Sequence, residues 1–303
     1  NMLKIAFNKV YNHPLENNHR FPMRKYDLIP RKLLDENIFY KNNFFDPGDI
    51  EEQNILLTHD KKYYEDLLNL NLEKKDSRSI GFPLNKELIY REKKIAQGTI
   101  ECSLFSIEYG VSLNIAGGTH HAFKAKPGAF CMLNDQAIAA NFLLKKKLVE
   151  RIMIVDLDVH QGDGTASIFS NESRVFTLSF HGKKNYPFKK QISDFDCEFD
   201  DGTNDTLYLN KLKNVLPDLI KRFSPQFVFY LAGVDVLEND KLGRLSLSMK
   251  GCKERDAFVM NCCKKNGIPL QISMGGGYSS NIDDIVQAHC NTFHLAKEIF
   301  FPN

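Results

Sequence analysis

No stretch of this chain comes near the roughly 18 to 20 consecutive apolar residues that cross a bilayer, so no transmembrane helix is expected. The first residues also lack the apolar core of a secretory signal peptide, and we expect a soluble, cytoplasmic protein with no membrane partner. Cysteine is scarce and odd in number: seven residues, at positions 102, 131, 197, 252, 262, 263 and 290, include no Cys-x-x-Cys pair. That argues for reduced thiols and against a disulfide framework or cysteine-held zinc. Charge of one sign is not in excess either, since 40 Lys and Arg against 38 Asp and Glu leave +2. Such balance gives no ground for direct nucleic-acid binding, and Lys145-Lys146-Lys147 reads as the solvated end of a helix. No linker-like stretch divides the chain. Asn1 ahead of Met2 is set aside as extraneous, and 2–303 is expected to be a single domain, the 43% hydrophobic content being enough for a substantial core.

What the chain does contain is short apolar runs alternating with longer amphipathic ones. Strands are expected at 3–7, 55–58, 111–116, 152–157, 175–179, 227–232 and 268–274, and helices at 26–36, 61–70, 85–109, 137–148, 207–223, 250–265 and 283–299. The polar stretch 11–26 should be irregular, with His13 and His19 as surface residues outside any site. Strands that are apolar throughout and separated by helices imply an α/β protein, its mostly parallel sheet covered by helices on both faces. Ligands of such sheets bind beyond the carboxyl ends of the strands. Four polar clusters fall at those ends: His120-His121, Asp156 to Asp163, Asp235 and Tyr278.

The richest is IMIVDLDVHQGDGT, residues 152–165. Alternation along an extended chain would put Asp156, Asp158 and His160 on one face. Neighbouring carboxylates are costly unless compensated, and a divalent cation does so; Asp oxygen and His nitrogen suit zinc, with three protein ligands and one open position. A strand with one solvated face is the plain alternative, weakened by the wholly apolar residues before it. Asp235 is the favoured third ligand, although alone it would read as a turn cap. The tandem histidines suit proton transfer, with Asp156 and Asp163 as the carboxylates available to orient them. Gly275-Gly276-Gly277 is neither a P-loop nor a dinucleotide fingerprint; it lets backbone approach a ligand and sets the Tyr278 hydroxyl where it could donate to an oxyanion.

GGTHHAF, FCMLND (130–135), VDLDVHQGDG, AGVDVLENDKLGRLSLS and SMGGGY, in this order, together with HRFPMRKY near the start, resemble the zinc-dependent histone deacetylases and their bacterial relatives. DVLENDKLGRLSLS and HQGDG, with Gln161 where many relatives have a second His, look most like class IV. The resemblance implies an arginase/deacetylase-type fold with about eight strands, and zinc on Asp158, His160 and Asp235. It pairs His120 with Asp156 and His121 with Asp163, and assigns carbonyl polarisation to Tyr278. It further implies a structural potassium ion on Asp156, Ser179 and main-chain oxygens of Asp158, His160 and Phe180. Phe130 and Tyr186 would wall a tunnel for acyl-lysine, with Leu242 near its mouth. Ala129 and Thr119 depart from the family pattern and bear on pocket shape.

The expected reaction is removal of acyl groups, acetyl or longer, from the lysine side-chain amide of proteins, with longer groups at rates comparable to acetyl. Acetylpolyamine amidohydrolysis ranks second, because Leu242 stands where an acidic gatekeeper would be wanted. A two-manganese hydrolase would need more ligands, and a catalytically silent acyl-lysine-binding module would not be expected to keep every catalytic position.

Overall fold

Two short apolar runs, Ile152–Asp156 and Phe227–Leu231, are buried at every position and pair with each other in parallel. They cannot be surface strands, and the rest of the molecule supplies cover for both of their faces. The computed structural model describes residues 2–302; Asn1, set aside above, and Asn303 lie outside the described residues. Among the described residues the strands are β1 (Lys4–Ala6), β2 (Phe44–Phe45), β3 (Val111–Asn114), β4 (Ile152–Asp156), β5 (Val175–Gly182), β6 (Phe195–Phe199), β7 (Phe227–Leu231) and β8 (Leu270–Ser273). They form one sheet in the order β2-β1-β3-β8-β7-β4-β5-β6, all parallel. All eight strand ends therefore point the same way.

Ten α-helices connect them among the described residues: α1 (Lys25–Asp35), α2 (Glu52–Ile55), α3 (Lys61–Leu68), α4 (Lys74–Ile80), α5 (Lys86–Tyr109), α6 (Asp135–Lys145), α7 (Asp163–Phe169), α8 (Asp205–Phe223), α9 (Met249–Lys265) and α10 (Ile282–Phe300). The long ones start where the sequence supplies a cap. Asn85, Asn134, Asn204, Ser248 and Asn281 each accept a backbone N–H of the following turn. Helix α5 packs on α6 and on β1, β3 and β8, while α9 packs between α8 and α10, with α1 on α10. Each fully buried side chain such as Phe227 or Phe229 contributes roughly 1.5–3 kcal/mol.

The expected strand at 55–58 is a correction: α2 runs over Glu52–Ile55 and a turn follows. Ile55 and Thr58 are the buried positions, a spacing of three that belongs to a helical turn, and so short an apolar run is ambiguous by periodicity. Strands β2 and β6 and helices α4 and α7 were not anticipated. The edge strand β6, FDCEF, alternates apolar and acidic residues instead of presenting the continuous apolar run of a central strand. His13 is buried and His19 is half-buried, so the expectation of surface histidines is also corrected. His19 Nε2 lies 2.9 Å from the Gly81 carbonyl.

Candidate active site

Strand β4 stops at Asp156, sooner than the alternation argument supposed. Asp158 N donates to Asp156 Oδ1 (3.1 Å) and His160 N to Asp158 Oδ1 (2.9 Å), two side-chain-to-backbone turns that curl the loop. Asp156, Asp158 and His160 therefore do not share a strand face: the curl brings the last two together and leaves Asp156 facing His120. Asp235, beyond β7, completes the group. His160 Nδ1 lies 3.0 Å from Asp158 Oδ1 and 3.2 Å from Asp235 Oδ2, and one donor atom from each residue lies within 4.8 Å of the others.

Backbone amides aim both carboxylates. Gly276 N donates to Asp158 Oδ2 (2.8 Å) and Val159 N to Asp235 Oδ1 (3.0 Å). A Cβ on residue 276 would stand 2.0 Å from Asp235 Oδ2, so this approach requires glycine. Burial alone would lower His160, but its hydrogen bonds to the two carboxylates outweigh that and raise it to about 10. Burial, reinforced by Asp158, lifts Asp235 to about 7. Two buried carboxylates around one imidazole nitrogen make a donor set that fits zinc, and a divalent ion binding Nδ1 would displace the proton this arrangement otherwise attracts.

The tandem histidines sit in a turn after β3, ring centroids 4.1 Å apart. His120 Nδ1 lies 2.5 Å from Asp156 Oδ2 and His121 Nδ1 lies 2.6 Å from Asp163 Oδ1. Both pairings expected from the resemblance are present as contacts. Their environments differ: burial disfavours charge on both, yet Asp156 and Asp158 pull His120 up to about 9, while burial and the neighbouring His120 push His121 down to about 4. Neighbouring imidazoles thus favour opposite charge states.

What holds this turn was missed in the sequence. Asp135, in the first turn of α6, accepts from Gly118 N (2.9 Å), Thr119 N (3.0 Å), Thr119 Oγ1 (3.0 Å), Thr99 Oγ1 (2.7 Å) and Ser273 Oγ (3.0 Å). Gly118 has φ +78 there. Thr119 is tied down by its hydroxyl, which reaches the Leu133 carbonyl (2.5 Å) as well as Asp135. Buried Arg255, on α9, donates to the carbonyls of Leu157 (3.0 Å) and Gly233 (2.7 Å) and tethers the two loops that carry Asp158 and Asp235. A polar residue inside a helix gives no such signal in sequence, whereas the Asn134-Asp135 cap could have been read.

Tyr278 follows the glycine loop, with its ring 6.2 Å from His160 and 5.9 Å from Phe130. Burial, then Asp235 and Asp158, raise it well above its ordinary value and keep the phenol protonated. Lys25, buried and overlooked in the sequence, lies 5.9 Å above the Tyr278 ring. An inner cavity of about 40 Å³ touches both histidines, Asp158, His160 and Tyr278. It shares His121, Ala129, Phe130, His160 and Tyr278 with an outer cavity of about 720 Å³, which Tyr186 and Leu242 also line. Phe130 is held at φ +57 while its N–H donates to the Ile80 carbonyl (2.8 Å). Of the expected potassium donors, Asp156 and Ser179 are register partners across β4 and β5, and Ser179 Oγ lies 2.9 Å from His181 Nδ1.

An all-parallel eight-stranded α/β sheet with this cluster at its carboxyl edge is the architecture of a solved deacetylase homologue. A crystal structure of an HDAC homologue from Aquifex aeolicus has the same fold, with TM-score 0.82 at 22% identity over 98% of this chain and 84% of that one. Residues 19–293 match the histone deacetylase domain, and the chain belongs to the histone deacetylase family. It is 37% identical over 296 residues to an uncharacterized protein of Picosynechococcus sp., covering 98% of this chain and 99% of that one. It is 28% identical over 280 residues to histone deacetylase 2 of Arabidopsis thaliana, covering 87% and 70%.

Proposed function

We propose that the protein removes acyl groups from the lysine side-chain amide of proteins, using one zinc ion on Asp158, His160 and Asp235. The observation that carries this is the buried trio facing two His–Asp pairs and a protonated tyrosine at the foot of an aromatic-walled cavity. Zinc held there would supply Lewis acidity toward the acyl carbonyl and toward water. His121, with Nδ1 turned to Asp163, takes the proton of the attacking water at Nε2 and returns it to the leaving amine. His120, drawn to the charged form by Asp156, stabilises negative charge developing beside it. The Tyr278 hydroxyl donates to the carbonyl oxygen as it becomes an oxyanion. Phe130 and Tyr186 enclose the lysine stem, and Leu242 leaves the entrance uncharged.

We take the inner cavity, about 40 Å³, as the seat of a small acyl group such as acetyl. Longer chains need the wall of Phe21 and Tyr26 to yield. The facing of Asp156 and Ser179 supports a potassium ion that also takes main-chain oxygens of Asp158, His160 and Phe180. Residues 2–303 would work as one catalytic unit in the cytoplasm, with no nucleic acid or membrane as direct partner. The class IV likeness rests on DVLENDKLGRLSLS and Gln161; the Gln161 amide donates to Gln191 O (2.8 Å) and Asp196 Oδ1 (2.9 Å). Elemental analysis tests the metal reading: the purified protein should hold one zinc per chain. Two tightly held manganese ions would overturn it.

A further inference from the structure

The outer cavity has a rim of one sign. Arg20, Arg78, Lys184, Lys241 and Arg244 line it, and no acidic side chain does. They arrive from separate segments: the loop before α1, helix α4, the loop after β5 and the loop after β7. In a chain with 40 basic and 38 acidic residues, nothing in the overall composition imposes such a collection. Arg244 and Lys184 share one partner, Asp201, at 3.2 and 3.8 Å. Arg20, Arg78 and Lys241 have no ion-pair partner among the described residues, and all three are exposed. Asp240, the nearest acid in sequence to Lys241, is turned inward, its carboxylate accepting backbone N–H groups of Leu242, Gly243 and Tyr278.

Resting on the deacylase reading above, we infer that this rim selects acyl-lysines lying between acidic residues and disfavours those in basic stretches. An acyl-lysine threaded inward leaves its neighbouring residues on the rim, where glutamate or aspartate would meet unpaired cations and lysine or arginine would be repelled. The same field repels a cationic polyamine. A carboxylate on the acyl chain itself is a poorer match, because the five cations stand at the mouth and not along the inner cavity.

The test is a set of fluorescent peptides with one acetyl-lysine flanked by glutamate, glutamine or lysine, offered to the zinc-loaded protein. Both kcat/KM and Kd would be measured, the latter by anisotropy. Acidic flanks should exceed lysine flanks at least about fivefold at low salt, the sum of several exposed ion pairs, and the ratio should shrink toward one at about 1 M salt. Arg78→Glu with Lys241→Glu should bring the ratio to one or below. The ratio is internal to each protein, so lowered overall activity does not blur it; if the double variant does not fold, Lys241→Gln alone should lower the ratio by about a third or more. Hydrolysis with no charge preference would sink the rim inference and leave the deacylase reading standing. Charge-selective binding without hydrolysis would do the reverse. Tight single-stranded RNA binding that these variants abolish, with no peptide preference, would assign the rim to nucleic acid and overturn the inference.

Discussion

Tyr278 and Asp235 carry two proposed roles that substitution can separate, oxyanion donation and zinc ligation. Tyr278→Phe removes a hydroxyl without touching the trio, so turnover should fall roughly a hundredfold or more while zinc content stays at one per chain. Unchanged turnover in that variant would remove Tyr278 from the mechanism. Asp235→Ala leaves two ligands, and elemental analysis should find most of the zinc gone. At this scale the site was largely legible: Asp158, His160 and Asp235 stood out because acid and imidazole at strand ends need compensation. The way they meet was not legible. Alternation along β4 would have put Asp156 with them, but the strand ends there and side-chain-capped turns redirect the chain, which no period-two reading can show.

Loops at the strand ends work only if something pins them, and α6 and α9 supply the pins. Asp135→Ala would leave the N–H groups of buried Gly118 and half-buried Thr119 without these acceptors. At about 1–3 kcal/mol for each orphaned donor, roughly 3 kcal/mol of stability should go. Thermal unfolding should show a Tm lower by about 5 °C or more; an unchanged Tm would mean the turn is held elsewhere. The central strands and long helices were legible from apolar runs and caps. The edges were not: β2 has two residues, β6 alternates with acids, and α4 is a charged helix whose role is to bring Ile80 to the Phe130 amide.

For the molecule as a whole, buried histidines tie stability to pH. His59 accepts from Asn134 N (3.0 Å) at Nε2 and donates from Nδ1 to Phe123 O (2.9 Å), and burial pushes it from 6.5 to about 4. Burial takes His181 to about 4 as well. A histidine whose folded value lies below its unfolded one stabilises the protein fully above about pH 6.5 and loses that contribution as pH falls toward 4. His120 and His160, raised in the folded protein, work in the opposite direction, so the test is a comparison: between pH 7 and pH 5 the denaturant midpoint should fall further in the unsubstituted protein than in His59→Gln, and the same pH dependence in both would contradict the burial argument. No helix among the described residues is long and apolar enough to cross a membrane. The central claim is hydrolysis of the acyl-lysine amide, and mass spectrometry of zinc-loaded protein with lysine peptides bearing acyl groups of increasing length tests it most directly. Free lysine should appear from the acetyl peptide and from at least one longer acyl peptide. A panel left intact, or acetylated polyamines cleaved in preference to every peptide, would contradict it.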